Sequence, residues 1–488
     1  MALRALLLVT LALLLGAAFG QPEPELFDTD WLDRRTYAVD VRDDLVDLAL
    51  RLDRAPVYHL AWSLTVGNEL HARQEVRVVN GSQVPWRELH FHLLPNLLGG
   101  RMTVGRLLLN GAEAAADLDE SNRLLTIGLP EELRPGAAAV VSLEYHLEIP
   151  RAGGRNYGIL GYRDGALSLA HAYALLAVHG ADGWDLDRPP RYGDLVHAES
   201  AFFRVAVDAP ASLDIATGGR LLERRVEGSR QYLQVVAGPV RDFYLAAGES
   251  LETIEQRVGE VLVRGHSPAG SEAATRAAVE HAAQALEIFE RRFGPYPYRE
   301  LDVVVISTSA LGVEFPGIIA LRRELLSPAE GERWLESTVV HEVAHQWFYS
   351  LVGNDQVSEP WLDESLTQYL TLRYFLESHG ATGYKRFREG LMSRWAEVDR
   401  RTVPIGSPVS DYGLSEYGAV VYGLGPLVVE WLAGMMERPV FDAFLRDYAH
   451  RFAFELVETD DFQSLAEHHC ECELDDFFRD WIRPPAVD

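Results

Sequence analysis

Through the first half of the chain, apolar and polar residues alternate with a period of two, and near residue 251 the period lengthens. In "YHLAWSLTV" (58–66), Leu60, Trp62, Leu64 and Val66 alternate with polar or small residues. In "SLEYHLEIP" (142–150), Leu143, Tyr145, Leu147 and Ile149 alternate with Ser142, Glu144, His146 and Glu148. Alternation of this kind buries one face of a strand. Turn signals such as Asn80-Gly81 and Gly218-Gly219 separate the segments, so residues 51–250 are expected to form an antiparallel β-sandwich or saddle. Asn80-Gly81-Ser82 also fits a glycosylation acceptor, but the turn is the reading adopted. Beyond residue 251 a helix is expected over 271–293, starting near Ser271 and stopped by Gly294-Pro295. The strand "LDVVVIS" follows, then helices over 332–351 and 361–378. Strands first, then mixed elements, then helices predict a multidomain α+β protein, a β domain over 51–250 followed by an α+β domain over 251–488.

The N-terminus departs from this pattern. Residues 1–20 hold Arg4, an apolar run to Phe19 and small residues before Gln21, the form of a secretory signal peptide cleaved after Gly20. The run is short of the roughly 20 residues of a bilayer span, and no second run reaches that length by inspection. A membrane is therefore expected only if the leader stays uncleaved, and the body is expected to be secreted, periplasmic or in the cell envelope. Residues 21–50 are acidic and Pro-containing and read as a lead-in, partly disordered. The chain has a net charge of −28, and its only lysine is Lys385. Such acidity excludes nucleic acid as a partner, because like charges repel. Oligomeric state is not legible.

Cys470 and Cys472 are the only cysteines, so no disulfide framework supports the fold. With His468 and His469 they form "HHCEC", too closely spaced to chelate well, and a bridge between Cys470 and Cys472 is geometrically awkward. "AHAYALLAVH" (170–179) carries two histidines in an apolar stretch and is expected at the domain interface near a cleft.

Candidate chemistry sits in "VVHEVAHQWF" (339–348). On a helix His341 and His345 share one face, so their imidazoles can meet one ion. Glu342, one residue off that line, can reach a water instead. Glu364, in "EPWLDESLTQY" on the next helix, can complete a three-ligand set, the number a catalytic zinc site takes from protein.

These motifs together resemble the gluzincin aminopeptidases, the family of aminopeptidase N and leukotriene hydrolase. The resemblance runs from about Tyr58 to Trp481 and includes "FGPYPY" (293–298), "LGVEFPG" (311–317), "HEVAHQWF", "GNDQVSEPWLDES" and "SEYGAVVYGLGP" (415–426). It implies a thermolysin-like catalytic domain with one Zn2+ per chain, held by His341, His345 and Glu364. Glu342 is then the general base and Tyr422 the donor to the oxyanion, with Tyr417 the neighbour most easily confused with it. Glu314, in a motif with Gly312 and Val313, would hold the free α-amine of a peptide. The implied activity is removal of N-terminal residues. An endopeptidase or dipeptidyl activity on the same zinc is the enzymatic rival, and a non-catalytic binding protein with a relic zinc domain is the rival from another class.

The sequence departs from the family pattern at Ser365, Val313, Phe315-Pro316 and Leu424, where the family has Gly, Met, Asn and Lys. Larger members carry a C-terminal helical domain over the site, whereas this sequence ends soon after "LDDFFRDWI", so a more open cleft is expected.

Overall fold

The computed structural model describes residues 26–65, 68–151, 155–187, 192–398 and 403–483. The leader lies outside the described residues. The N-terminal half is built on an eight-stranded sheet. Its strands run, in spatial order, Arg220–Glu227, Arg230–Val240, Ala201–Pro210, Val57–Leu64, Glu69–Val79, Ala138–Glu148, Arg101–Leu109 and Ala112–Glu113. Glu69–Val79 shows the expected alternation of buried and half-buried residues. Neighbours are antiparallel except at the centre, where Val57–Leu64 pairs in parallel with Ala201–Pro210, Val57 opposite Phe202. That pairing corrects the purely antiparallel expectation. Val57–Leu64 is buried along its whole length, as a strand covered on both faces is, and periodicity cannot reveal the direction of a neighbour. Two four-stranded sheets pack against the large one.

The Asn80-Gly81 turn has a buried Asn80 side chain, whose Nδ2 donates to the carbonyls of Val84 and Leu133, both at 2.8 Å. The amide is committed to the fold, so the glycosylation reading fails. The lead-in is also corrected where it is described. Asp43–Ala49 is a helix, Tyr37 is buried with its hydroxyl 2.7 Å from His59 Nε2, and Val41 bridges to Tyr298 of the second domain. Its acidity masks apolar anchors (Tyr37, Val41, Leu45) that bury completely.

The second half begins with a five-stranded sheet in the order Leu251–Val258, Val261–Pro268, Glu300–Ile306, Ile318–Arg322, Gly312–Phe315. Helix Glu272–Phe293 packs over it and lies so close at Gly265 that a Cβ there would meet Val279 Cγ2 at 2.6 Å. Gly312–Phe315 is the edge strand and faces the helix Glu336–Ala344. That helix is shorter than the sequence suggests. A π-helical turn, Gly331–Leu335, precedes it, and after His345 the chain folds back, with Ser350 N donating to His345 O at 2.9 Å. The next helix, Leu366–Trp395, continues past the expected end at 378 after a break at Gly380, which takes φ 64°.

The stretch Leu414–Met435 is long and apolar enough to cross a membrane, contrary to the sequence reading, but over half of it is buried within the fold. Near the C-terminus Cys470 and Cys472 do form a disulfide, because Glu471 between them adopts a left-handed turn (φ 51°) that brings their Cα atoms to 5.1 Å. His469 Nε2 lies 3.0 Å from Asp447. Of the two histidines in 170–179, His171 is buried 3.7 Å from Asp242 at the domain junction, and His179 packs instead against Trp86 and Trp184.

Candidate active site

His341 lies in the last turn of the helix Glu336–Ala344 and His345 closes its C-terminal end. Their Nε2 atoms are 3.2 Å apart, and Glu364 Oε2 lies 3.1 Å from that of His341 and 3.5 Å from that of His345. Zinc with ligand bonds of about 2.0–2.1 Å spaces tetrahedral donors by about 3.3 Å, a value these separations bracket. Two imidazole nitrogens facing each other over one carboxylate oxygen do not satisfy one another as donors and acceptors, whereas one cation suits all three. The residues therefore fit the metal. Glu364 is carried by a π-helical turn, Trp361–Ser365, and Tyr422 by another, Val420–Leu424. Turns of this kind recur at functional sites because the extra residue reorients side chains.

The second ring nitrogen of His345, Nδ1, is 2.7 Å from Asp363 Oδ1. Gln356 donates from Nε2 to Asp363 at 2.5 Å and to Glu314 at 3.2 Å. Glu314 is buried on the edge strand. Gln346, just after His345, clamps that strand, its Nε2 donating to Phe315 O at 3.1 Å and its Oε1 accepting from Gly317 N at 2.9 Å. Glu342 lies against Gly312, where an added Cβ would sit 2.5 Å from its Cδ. The Tyr422 hydroxyl donates to Glu364 Oε1. Tyr417 is buried and its hydroxyl has no hydrogen-bond partner among the described residues, which separates the two tyrosines. Val313 is buried on the same edge strand as Glu314.

The electrostatics are those of a cation site. Burial, reinforced by the Glu314 carboxylate, pushes the Glu342 carboxyl well above its usual range. Burial also drives Glu314 up to about 8, against the pull of His345. Glu364 goes the other way, because its contacts with His341 and His345 outweigh the desolvation that opposes them. Carboxylates crowded out of water are costly unless positive charge compensates them.

These groups line a cleft of ≈ 1020 Å³ between the halves of the molecule. Tyr157 and Asp194 come from the N-terminal half, Gly312, Val313 and Glu314 from the edge strand, and Arg386, Leu391 and Arg394 from the helix beyond the Gly380 break.

Residues 277–481 match the sequence profile described as the Peptidase family M1 domain. The second half of the chain is thus similar to a peptidase M1 domain. Aminopeptidase M1-B of rice is 24% identical over 308 residues, covering 59% of this chain and 34% of the relative. Human aminopeptidase B is 30% identical over 186 residues, covering 36% of this chain and 28% of the relative. The chain thus spans about a third of the length of the curated relatives it matches. A mutant M1 zinc metallopeptidase from Deinococcus radiodurans, crystallised with a Tyr-Ser-Ala substrate, superposes with a TM-score of 0.67 at 23% identity, over 89% of this chain and 96% of that one. This likeness gives the shared two-half fold.

Within the matched region, sequence reasoning missed Asp363 and Gln356. The signal for Asp363 was present, since an acid adjoining a ligand carboxylate is placed to orient a ligand histidine. Asp194 was also missed, and no local pattern marks it. It comes from the other half of the molecule, and burial and the carboxylates of Glu314 and Glu364 raise its pKa well above the usual range.

Proposed function

We propose that this protein is a zinc-dependent aminopeptidase that removes residues from the free N-terminus of peptides, with one catalytic zinc per chain. The observation that carries the reading is the convergence of His341, His345 and Glu364 beside Glu342 in a cleft that also presents Glu314. His341, His345 and Glu364 would hold the metal, which when bound supplies Lewis acidity and makes water acidic near neutral pH.

The chain's own groups account for the remainder. Glu342, whose burial gives its carboxyl a high proton affinity, accepts the proton of the attacking water and returns it to the leaving amine. Tyr422 turns its hydroxyl from Glu364 to the oxygen that becomes negative at the scissile carbonyl. Asp363 holds the His345 ring in place. Glu314 pairs with the α-ammonium, so cleavage is measured from the chain end, and Asp194 lines the same cleft. The Tyr-Ser-Ala peptide bound by the Deinococcus protein supports a short peptide with a free amine as substrate. The apolar leader supports action outside the cytoplasm.

The test compares aminoacyl chromogens bearing a free amine with N-blocked peptides, with and without a chelator. Activity on the free-amine substrates should vanish with the chelator and return with zinc. Equal cleavage of blocked peptides would transfer the reading to an endopeptidase, and zinc-loaded protein without either activity would leave a binding protein.

A further inference from the structure

The outward face of the eight-stranded sheet carries a second convergence of ligand-type side chains. We propose that Glu69, His71 and His146 form a separate site for a divalent transition-metal ion, zinc being the ion the donor set suits. His71 on Glu69–Val79 and His146 on Ala138–Glu148 are direct cross-strand partners. Glu69, two residues before His71, projects from the same face. The imidazoles stack with centroids 4.7 Å apart and planes 27° from parallel. Glu69 Oε2 lies 3.8 Å from His146 Nε2 and 4.0 Å from His71 Nε2, too far for hydrogen bonds.

His146 Nε2 is shielded from solvent and has no hydrogen-bond partner among the described residues. Stacked imidazoles repel if protonated, which favours the neutral form that metals take. The donor separations exceed the roughly 3.3 Å of a tetrahedral zinc by an amount that a small rotation of the exposed Glu69 side chain closes. Two imidazoles and a carboxylate select zinc, copper or nickel over calcium or magnesium, which want oxygen cages. The cluster of Asp185, His197 and Asp355 differs, because His197 Nδ1 is already engaged with Asp185 at 2.7 Å in an ordinary ion pair. A bound ion would clip the two strands together on a scaffold fixed by their backbone ladder.

The experiment is calorimetric titration of the full chain, stripped with a chelator, with zinc ions near neutral pH. Wild type should take up two equivalents. His71→Ala/His146→Ala should lose one of them and keep hydrolysis unchanged, whereas His341→Ala should lose the other. Glu69→Gln, an exposed change that leaves the sheet intact, should weaken the second equivalent more than about tenfold. A single equivalent in wild type, or a second that survives in both the double-histidine and the Glu69→Gln variants, overturns the proposal. The cleft equivalent is read independently in His341→Ala, so failure here is distinguishable from failure of the aminopeptidase reading.

Discussion

Gly312→Ala tests how closely the edge strand confines the general base. An ideal Cβ at 312 would lie 2.5 Å from Glu342 Cδ and 2.6 Å from its Cγ. Ordinary carbon contacts are about 3.5–4.0 Å, so about 1 Å of movement is required. The strand resists, because Gly312 pairs with Leu321 and Gln346 clamps the chain just beyond Phe315. Glu342 lines the cleft and has free space on that side. The carboxylate is therefore the part that moves, and a misplacement of about 1 Å costs on the order of 100-fold in rate, or about 2.7 kcal/mol of transition-state stabilisation. The metal-binding atoms are untouched, so zinc content should stay at the wild-type value while kcat falls. The assay is kcat and KM on a free-amine aminoacyl chromogen, paired with metal analysis of the same sample. Wild-type kcat, or loss of the metal together with the activity, refutes the reasoning.

Three further predictions concern the surroundings. Tyr422→Phe should lower kcat by roughly 10²–10³ with zinc retained, as read by steady-state kinetics and metal analysis; an unchanged kcat removes Tyr422 from the oxyanion role. Ser365→Gly should lower stability by about 1–3 kcal/mol, because the buried Ser365 hydroxyl donates to Val421 O at 2.7 Å and its loss leaves that carbonyl unpaired. Thermal unfolding reads the change, and an undiminished Tm contradicts it. Burial raises Asp242 from 3.8 to about 7 against the opposing effects of Tyr349 and Arg241. The folded protein therefore holds a proton that the unfolded chain releases, and the stability this confers is complete below about pH 4 and lost as pH rises through about 7. The loss amounts to about 4 kcal/mol at about 1.4 kcal/mol per pH unit. Asp242→Asn should flatten the dependence of urea-unfolding free energy on pH between about 4 and 7, and parallel profiles for the two proteins count against the argument.

The parts of this structure legible in sequence were those governed by local periodicity. The helix Glu272–Phe293 follows from its apolar spacing and its Gly294 stop, and the four-residue interval set His341 and His345 on one face. Non-local features were not legible. The parallel partner of Val57–Leu64 lies more than a hundred residues away, and strand direction leaves no trace in alternation. The π-helical turns under Glu364 and Tyr422 look like ordinary helix in composition, because the extra residue is accommodated by packing. Asp194 and Tyr157 reach the cleft only once the two halves are assembled, and the anchors of the lead-in are hidden among acidic residues.

Arg241 is fully buried at the junction and donates to Tyr349 O at 2.7 Å, Ala198 O at 3.2 Å and Glu455 O at 2.6 Å. Gly353 lies so close to it that an added Cβ would sit 2.5 Å from its Nη1. The guanidinium thus supplies, from the first half of the chain, a donor to the Tyr349 carbonyl in the loop behind His345, and a second donor to Glu455 O, which also accepts from Gly353 N at 3.0 Å. The two halves are consequently not interchangeable modules. A chimera that joins residues 251–483 to a foreign β scaffold leaves the Tyr349 carbonyl without that donor unless the scaffold brings an arginine into the space Gly353 leaves, so recombination at this boundary must supply the arginine as well.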